Sequence, residues 1–259
     1  MAGDSHGGPG EAALVERPKK SFYGRLPGAF AYPFKGMGWA IILAGAACYW
    51  LLNRLSSLPA FGYFFIFQVM LAVCAAGYLA AYMIKIIGAS AGGGDAPPDW
   101  PDVTDFWDDI FRPMFLLIGA IVVSFLPLIV YVIVSRNWQA SGAAFCALLA
   151  WGFLYLPMVL LAAALFDSAA ALNPVRVLLG IARTCPAYLL VAVLFYVIVA
   201  LGLLTQVGAS RIVTVIGPVK APLIGPFVAG AVGLYLLMVQ MHLLGLLYHT
   251  HARRLAWFE

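Results

Sequence analysis

The polar side chains that could do chemistry deep inside this chain are few, and they gather near its end. Gln240 and His242 stand in a long apolar stretch, and His249 follows His242 by seven residues on the same helical face. Histidine is the commonest metal ligand, so a haem or metal site is the first chemistry to test. Seven helical residues span about 10.5 Å along the axis, too far for both rings to chelate one ion. His6 and His251 fall outside the apolar stretches and cannot complete a set. His242 therefore reads as an interhelical hydrogen-bonding residue and His249 as a residue of the membrane interface. No metal and no cofactor are expected.

Other reactive constellations are thin. The sequence has no G-x-S-x-G, no H-E-x-x-H and no Walker A pattern. Gly92, Gly93 and Gly94 precede no Lys-Ser or Lys-Thr pair, and they follow an apolar span and not a strand, so they read as a flexible joint. Cys48, Cys74, Cys146 and Cys185 form no C-x-x-C pair, which speaks against a metal site or disulfide framework. No catalytic residue is assigned, and the chain is expected not to be an enzyme.

The most distinctive segment is GGGDAPPDWPDVTDFWDDIFRP. It holds six of the eleven acidic residues, Asp95, Asp99, Asp102, Asp105, Asp108 and Asp109, interleaved with Trp100, Phe106, Trp107 and Phe111. The spacing of Val103, Phe106, Trp107, Ile110 and Phe111 predicts an amphipathic helix over residues 99–112. Interfacial helices ordinarily carry basic residues that anionic lipid attracts, and this one is acidic. Two readings follow. Either the apolar face packs over the protein while the aspartates are solvated, or Asp99, Asp102, Asp105, Trp107, Asp108 and Asp109 dock a basic cytoplasmic partner or the chain's own basic N-terminal arm.

The elements that must position these residues are set by composition. Of 259 residues, 64% are apolar and 10% charged, and the mean hydropathy is +0.96. Soluble domains are near half apolar and about a quarter charged, so a cytosolic enzyme is excluded. Long unbroken apolar runs also exclude a β-barrel, whose strands alternate. A spanning helix needs about 20 apolar residues, and the charge-free stretches supply six, near residues 36–53, 60–84, 114–135, 142–166, 187–208 and 227–248. Residues 1–17 read as a flexible tail without a cleavable signal, and residues 18–259 as a single six-span, all-α polytopic domain.

Orientation follows from the basic residues. With an inward N-terminus, eleven of the fifteen Lys and Arg fall on the cytoplasmic side, as the positive-inside rule requires. Both termini are thus expected in the cytoplasm, and the setting is expected to be a prokaryotic inner membrane. No Asp, Glu, Lys or Arg occupies the core of a span, which argues against ion-coupled transport.

The layout repeats three times, as a short interfacial amphipathic stretch, a proline and a transmembrane hairpin. SFYGRLPGAFAYPF, PDVTDFWDDIFRP and LNPVRVLLGIARTCP lead the three units, and Pro33, Pro113 and Pro186 mark the expected bends. Small residues four apart, Ala44 with Cys48, Ala72 with Ala76 and Ala229 with Gly233, are expected to let helices approach closely.

The PDWPDVTDFWDDIFRP loop and the closing GLLYHTHARRLAWF resemble multi-pass prokaryotic membrane proteins of unknown function. That group is loosely similar in layout to the Yip-type (Rab-interacting) membrane proteins. The resemblance implies an all-α polytopic fold and carries over no functional residue. The residues themselves suggest a non-enzymatic scaffold or accessory subunit in contact with the bilayer, other membrane-complex subunits or a basic cytoplasmic protein, and not with nucleic acid. The alternative is a transporter or permease-like component for a neutral or lipid-like solute. A dry bundle with an ordered cap would favour the first, and a polar, water-accessible cavity the second.

Overall fold

A computed structural model describes residues 22–56, 63–101, 104–135, 142–166, 173–216, 221–255 and 257. Among them the chain is helical, with α1 at Phe22–Ala31 running into a 3-10 turn at Tyr32–Phe34. The longer helices are α2 (Gly38–Ser56), α3 (Tyr63–Ala91), α4 (Arg112–Ser135), α5 (Ala143–Phe166), α6 (Pro174–Ile216) and α7 (Ala221–Leu255). Six of them are long and apolar enough to cross a membrane, so the fold is that of an all-α, six-span polytopic protein.

α7 is the hub. It packs against α2, α3 and α6, and also touches α1 and α5. A helix that is apolar all round belongs in the interior, and Met238, Met241, Leu243, Leu244 and Leu247 are almost wholly buried. Lipid tails are as apolar as leucine, so close packing replaces water exclusion as the cohesive force here. Small residues permit it. At Gly245 an added Cβ would overlap Ser90 and the backbone of α3, and at Gly77 it would overlap Ile110.

The three-hairpin plan is met unevenly. α4 with α5 and α6 with α7 pack as neighbours, but α2 and α3 scarcely touch and each leans on α7 instead. The leading amphipathic stretches also differ from one another. Only the first is a helix of its own, α1, with Pro33 inside the 3-10 turn that follows. The third is not separate, since α6 runs unbroken from Pro174 through Pro186.

The second departs furthest from the predicted helix over residues 99–112. Helix begins only at Phe106, passes through a π-helical turn at Trp107–Phe111 and continues directly into α4. Pro97, Pro98 and Pro101 keep helix out of the residues before them, and Asp105, accepting from Trp107 N–H, caps the helix that starts at Phe106. Pro113 lies seven residues into this continuous helix, just after the π-helical turn, and has no N–H to donate to the preceding turn. The triglycine run is no loose joint either. Gly93 has φ +89°, and Gly93 N–H and Gly94 N–H donate to Ser90 and Ala89 carbonyls at 3.0 and 2.9 Å, a Schellman cap that ends α3.

Candidate functional site

The end of the bundle that carries α1 and the C-terminal part of α7 holds every polar cluster singled out in the sequence. Phe22 of α1 meets the His251 ring at 5.8 Å, which ties the two terminal helices together. Beneath them lies a buried polar group. Ser90 of α3 and His242 of α7 are joined by a 2.8 Å hydrogen bond, and the Tyr32 ring stacks on the imidazole at 3.8 Å. Ser90 is 1% exposed, His242 7% and Tyr32 0%. The Tyr32 phenol lies beside the Ser90 hydroxyl, and burial raises its pKa.

A serine hydrogen-bonded to a histidine is the elementary form of an activated nucleophile. Here the pair is enclosed on all sides, and its geometry suits an interhelical fastening. Gln240 does similar work, its Nε2 donating to the Phe195 carbonyl of α6 at 2.9 Å. His249 lies two turns beyond His242, its Nδ1 donating to the Ala91 carbonyl at 3.2 Å. His242 and His249 thus both fasten α7 to the C-terminal end of α3, through separate hydrogen bonds at Ser90 and Ala91. Among the described residues, no three His, Cys, Asp or Glu side chains converge as a metal site would require.

The acidic segment forms an ordered cap on this end. Tyr78 donates to the Pro101 carbonyl at 3.2 Å and Lys85 to the Trp100 carbonyl at 3.2 Å, while Trp100 stacks on Tyr78 at 5.7 Å. Its aspartates have unlike roles. Asp109 accepts from Thr104 N–H at 2.8 Å, Thr104 Oγ1 at 3.2 Å and Asp105 N–H at 2.9 Å. Asp105 accepts from Trp107 N–H at 2.9 Å. Both are caps that start the helix. Asp108 reaches Arg112 at 3.8 Å across an exposed turn, and Asp99 is exposed. Asp102 and the basic N-terminal arm lie outside the described residues.

The expected apolar face is therefore split. Ile110 is buried against Gly77, but Trp107 is 61% and Phe106 48% exposed. Trp107 leans on Phe111 at 5.6 Å and Phe115 at 6.2 Å, a stack along its own helix.

Two features escaped the sequence reading. Ser90 and Tyr32 carry no pattern that sets them apart from other residues of their helices. The small residues also divide differently from expectation, since Gly45 admits Leu234 closely, yet it lines, with Ala76, Ala229 and Gly233, an open space between α2, α3 and α7. No protein-family model, curated protein or solved structure matches the chain.

Proposed function

We propose that this chain is a non-enzymatic membrane scaffold or accessory subunit, set in an inner membrane with both termini cytoplasmic, whose acidic aromatic cap docks another subunit or a basic cytoplasmic protein. One observation carries the reading. The cap is fastened to α3 through Tyr78 and Lys85, yet it leaves Phe106 and Trp107 exposed, along with Asp99 and the partly exposed Asp108 of the same segment. Exposed aromatic residues on a rigid support lose little freedom on association, and they dominate interface energetics. Asp99 and Asp108 supply the charge, while Asp105 and Asp109 are committed to holding the cap in shape.

A photo-crosslinking amino acid placed at Trp107, compared with one at the exposed lipid-facing Ile133, tests this in native membranes. A defined protein adduct is expected from position 107 alone, weakened by Asp108→Lys and by added salt, because rim charges act mainly on encounter. The same adducts from both positions, or none from 107, would remove the reading. A permease-like component for a neutral or lipid-like solute is the second reading, for which the space between α2 and α3 offers an apolar lining and not the polar, water-accessible cavity that reading calls for.

A further inference from the structure

A crevice of about 400 Å³ separates α2 from α3, with α7 as its floor. Its volume lies in the range of small-molecule pockets, about 300–1,000 Å³. The walls are Ile41, Leu52, Ala76 and Leu79, and the floor is Gly233 and Leu237. A neighbouring space of about 280 Å³ shares Tyr49, Leu52 and Ala75 with it and adds Asn53, Ser56 and Gln68. The two form one channel-shaped groove, apolar along its length and polar at the end away from the termini. None of its lining residues is charged.

Three properties select the occupant. An apolar space does not retain water, which needs two or more polar partners, so within a bilayer this groove takes hydrocarbon. From Ile41 to Ser56 the α2 wall runs about 22 Å at 1.5 Å per residue, longer than the half-thickness of about 15 Å of the hydrocarbon core, so a complete lipid chain fits along it. The polar end has hydrogen-bonding capacity left over. Gln68 uses one N–H on the Leu55 carbonyl at 2.6 Å and keeps its own carbonyl oxygen. Gln206 accepts from Tyr49 at 3.3 Å and keeps its amide N–H groups. Neutral donors and acceptors at the mouth of an apolar groove suit an ester linkage better than a charged head.

We propose that this groove is a binding site for one acyl chain of a bilayer glycerolipid, with its ester region among Asn53, Gln68 and Gln206 and its chain end towards Tyr82 and Trp100. The site rests on the groove alone, so failure of the docking reading leaves it standing, and the reverse also holds.

The test uses the full chain in phosphatidylcholine vesicles doped with phosphatidylcholine whose acyl chain carries a diazirine, either beside the carboxyl or at the chain end. Mass spectrometry maps the adducts. Groove residues should label several-fold more than the lipid-facing stretch of α4 around Ile133. The carboxyl-side probe should favour the Asn53 end and the chain-end probe the Tyr82 end. Gly233→Leu fills the groove, and a Cβ there meets no atom within 4 Å. It should lower groove labelling to the α4 level with an unchanged melting temperature. Ala76→Leu does the same from α3 and carries the test should the first variant lose its fold. Labelling equal to α4, labelling insensitive to the folded variant, or a reversed probe pattern would overturn the site and leave only annular lipid.

Discussion

Ser90 and His242, 152 residues apart in the chain, share a buried 2.8 Å hydrogen bond that fastens the end of α3 to α7. The Tyr32 ring closes over the imidazole at 3.8 Å, so the turn before α2 reports on the same contact. Interhelical hydrogen bonds in membranes average about 0.6 kcal/mol, with larger values near 1.7. Ser90→Ala, His242→Leu and the double variant form a cycle that isolates the bond. A coupling of about 1 kcal/mol is expected from reversible unfolding in mixed micelles. A coupling near zero would assign the stabilisation to packing against Tyr32 instead.

Orientation yields an independent prediction. Ser56 ends α2 and Thr104 precedes α4, so with α3 between them they fall on opposite faces of the bundle. On the orientation proposed from the basic bias, Thr104 and Arg253 are expected inside. In a chain freed of its own cysteines, Ser56→Cys should react with an impermeant thiol reagent on intact cells. Thr104→Cys and Arg253→Cys should react only after the membrane is opened. The opposite pattern would invert the assignment.

Span number and fold class were legible because a bilayer imposes a length and a composition that no soluble fold shares. The contacts between spans were not. With apolar residues on every face, neither α2 nor α3 shows which neighbour it prefers, and each packs mainly on α7, with little contact between the two. The acidic segment was legible as an acidic, aromatic-rich stretch, but the capping roles of Asp105 and Asp109 were not. The prolines at 97, 98 and 101 should have kept helix out of residues up to 100, and the further delay to Phe106 follows from the Asp105 cap. His242 was readable as a fastening residue, but its partner Ser90 was not, because one serine in an apolar helix carries no directional signal.

Packing on α7 separates two glycines that look alike in sequence. A Cβ at Gly245 would lie 2.6 Å from the Ile87 carbonyl and 3.0 Å from the Ala91 nitrogen, both of them backbone atoms that cannot swing aside. Overpacking of this kind costs about 1–3 kcal/mol. At Gly233 nothing lies within 4 Å, and a helical glycine exchanged for alanine gains about 0.5–1 kcal/mol. Gly245→Ala should therefore lower the unfolding midpoint and Gly233→Ala hold or raise it. Equal effects would show that α3 and α7 are not in close contact there.

The cap makes the sharpest distinction among side chains of identical chemistry. Asp109 gathers two backbone N–H groups and the Thr104 hydroxyl, whereas Asp108 pairs with Arg112 at 3.8 Å, with both side chains about half exposed. Exposed ion pairs contribute little, but a cap lost at a helix start leaves backbone donors unsatisfied. Asp109→Ala should speed amide exchange at Thr104, Asp105 and Phe106 several-fold, and Asp108→Ala should leave those amides unchanged. Asp109→Asn keeps one side-chain oxygen and should fall between them. Partner capture should follow the reverse order at low salt, with Asp108→Ala weakening it while the cap stays intact. If Asp108→Ala loosened the same amides as Asp109→Ala, the acidic residues would act as one shared brace for the cap, and none would be free to serve as a docking charge.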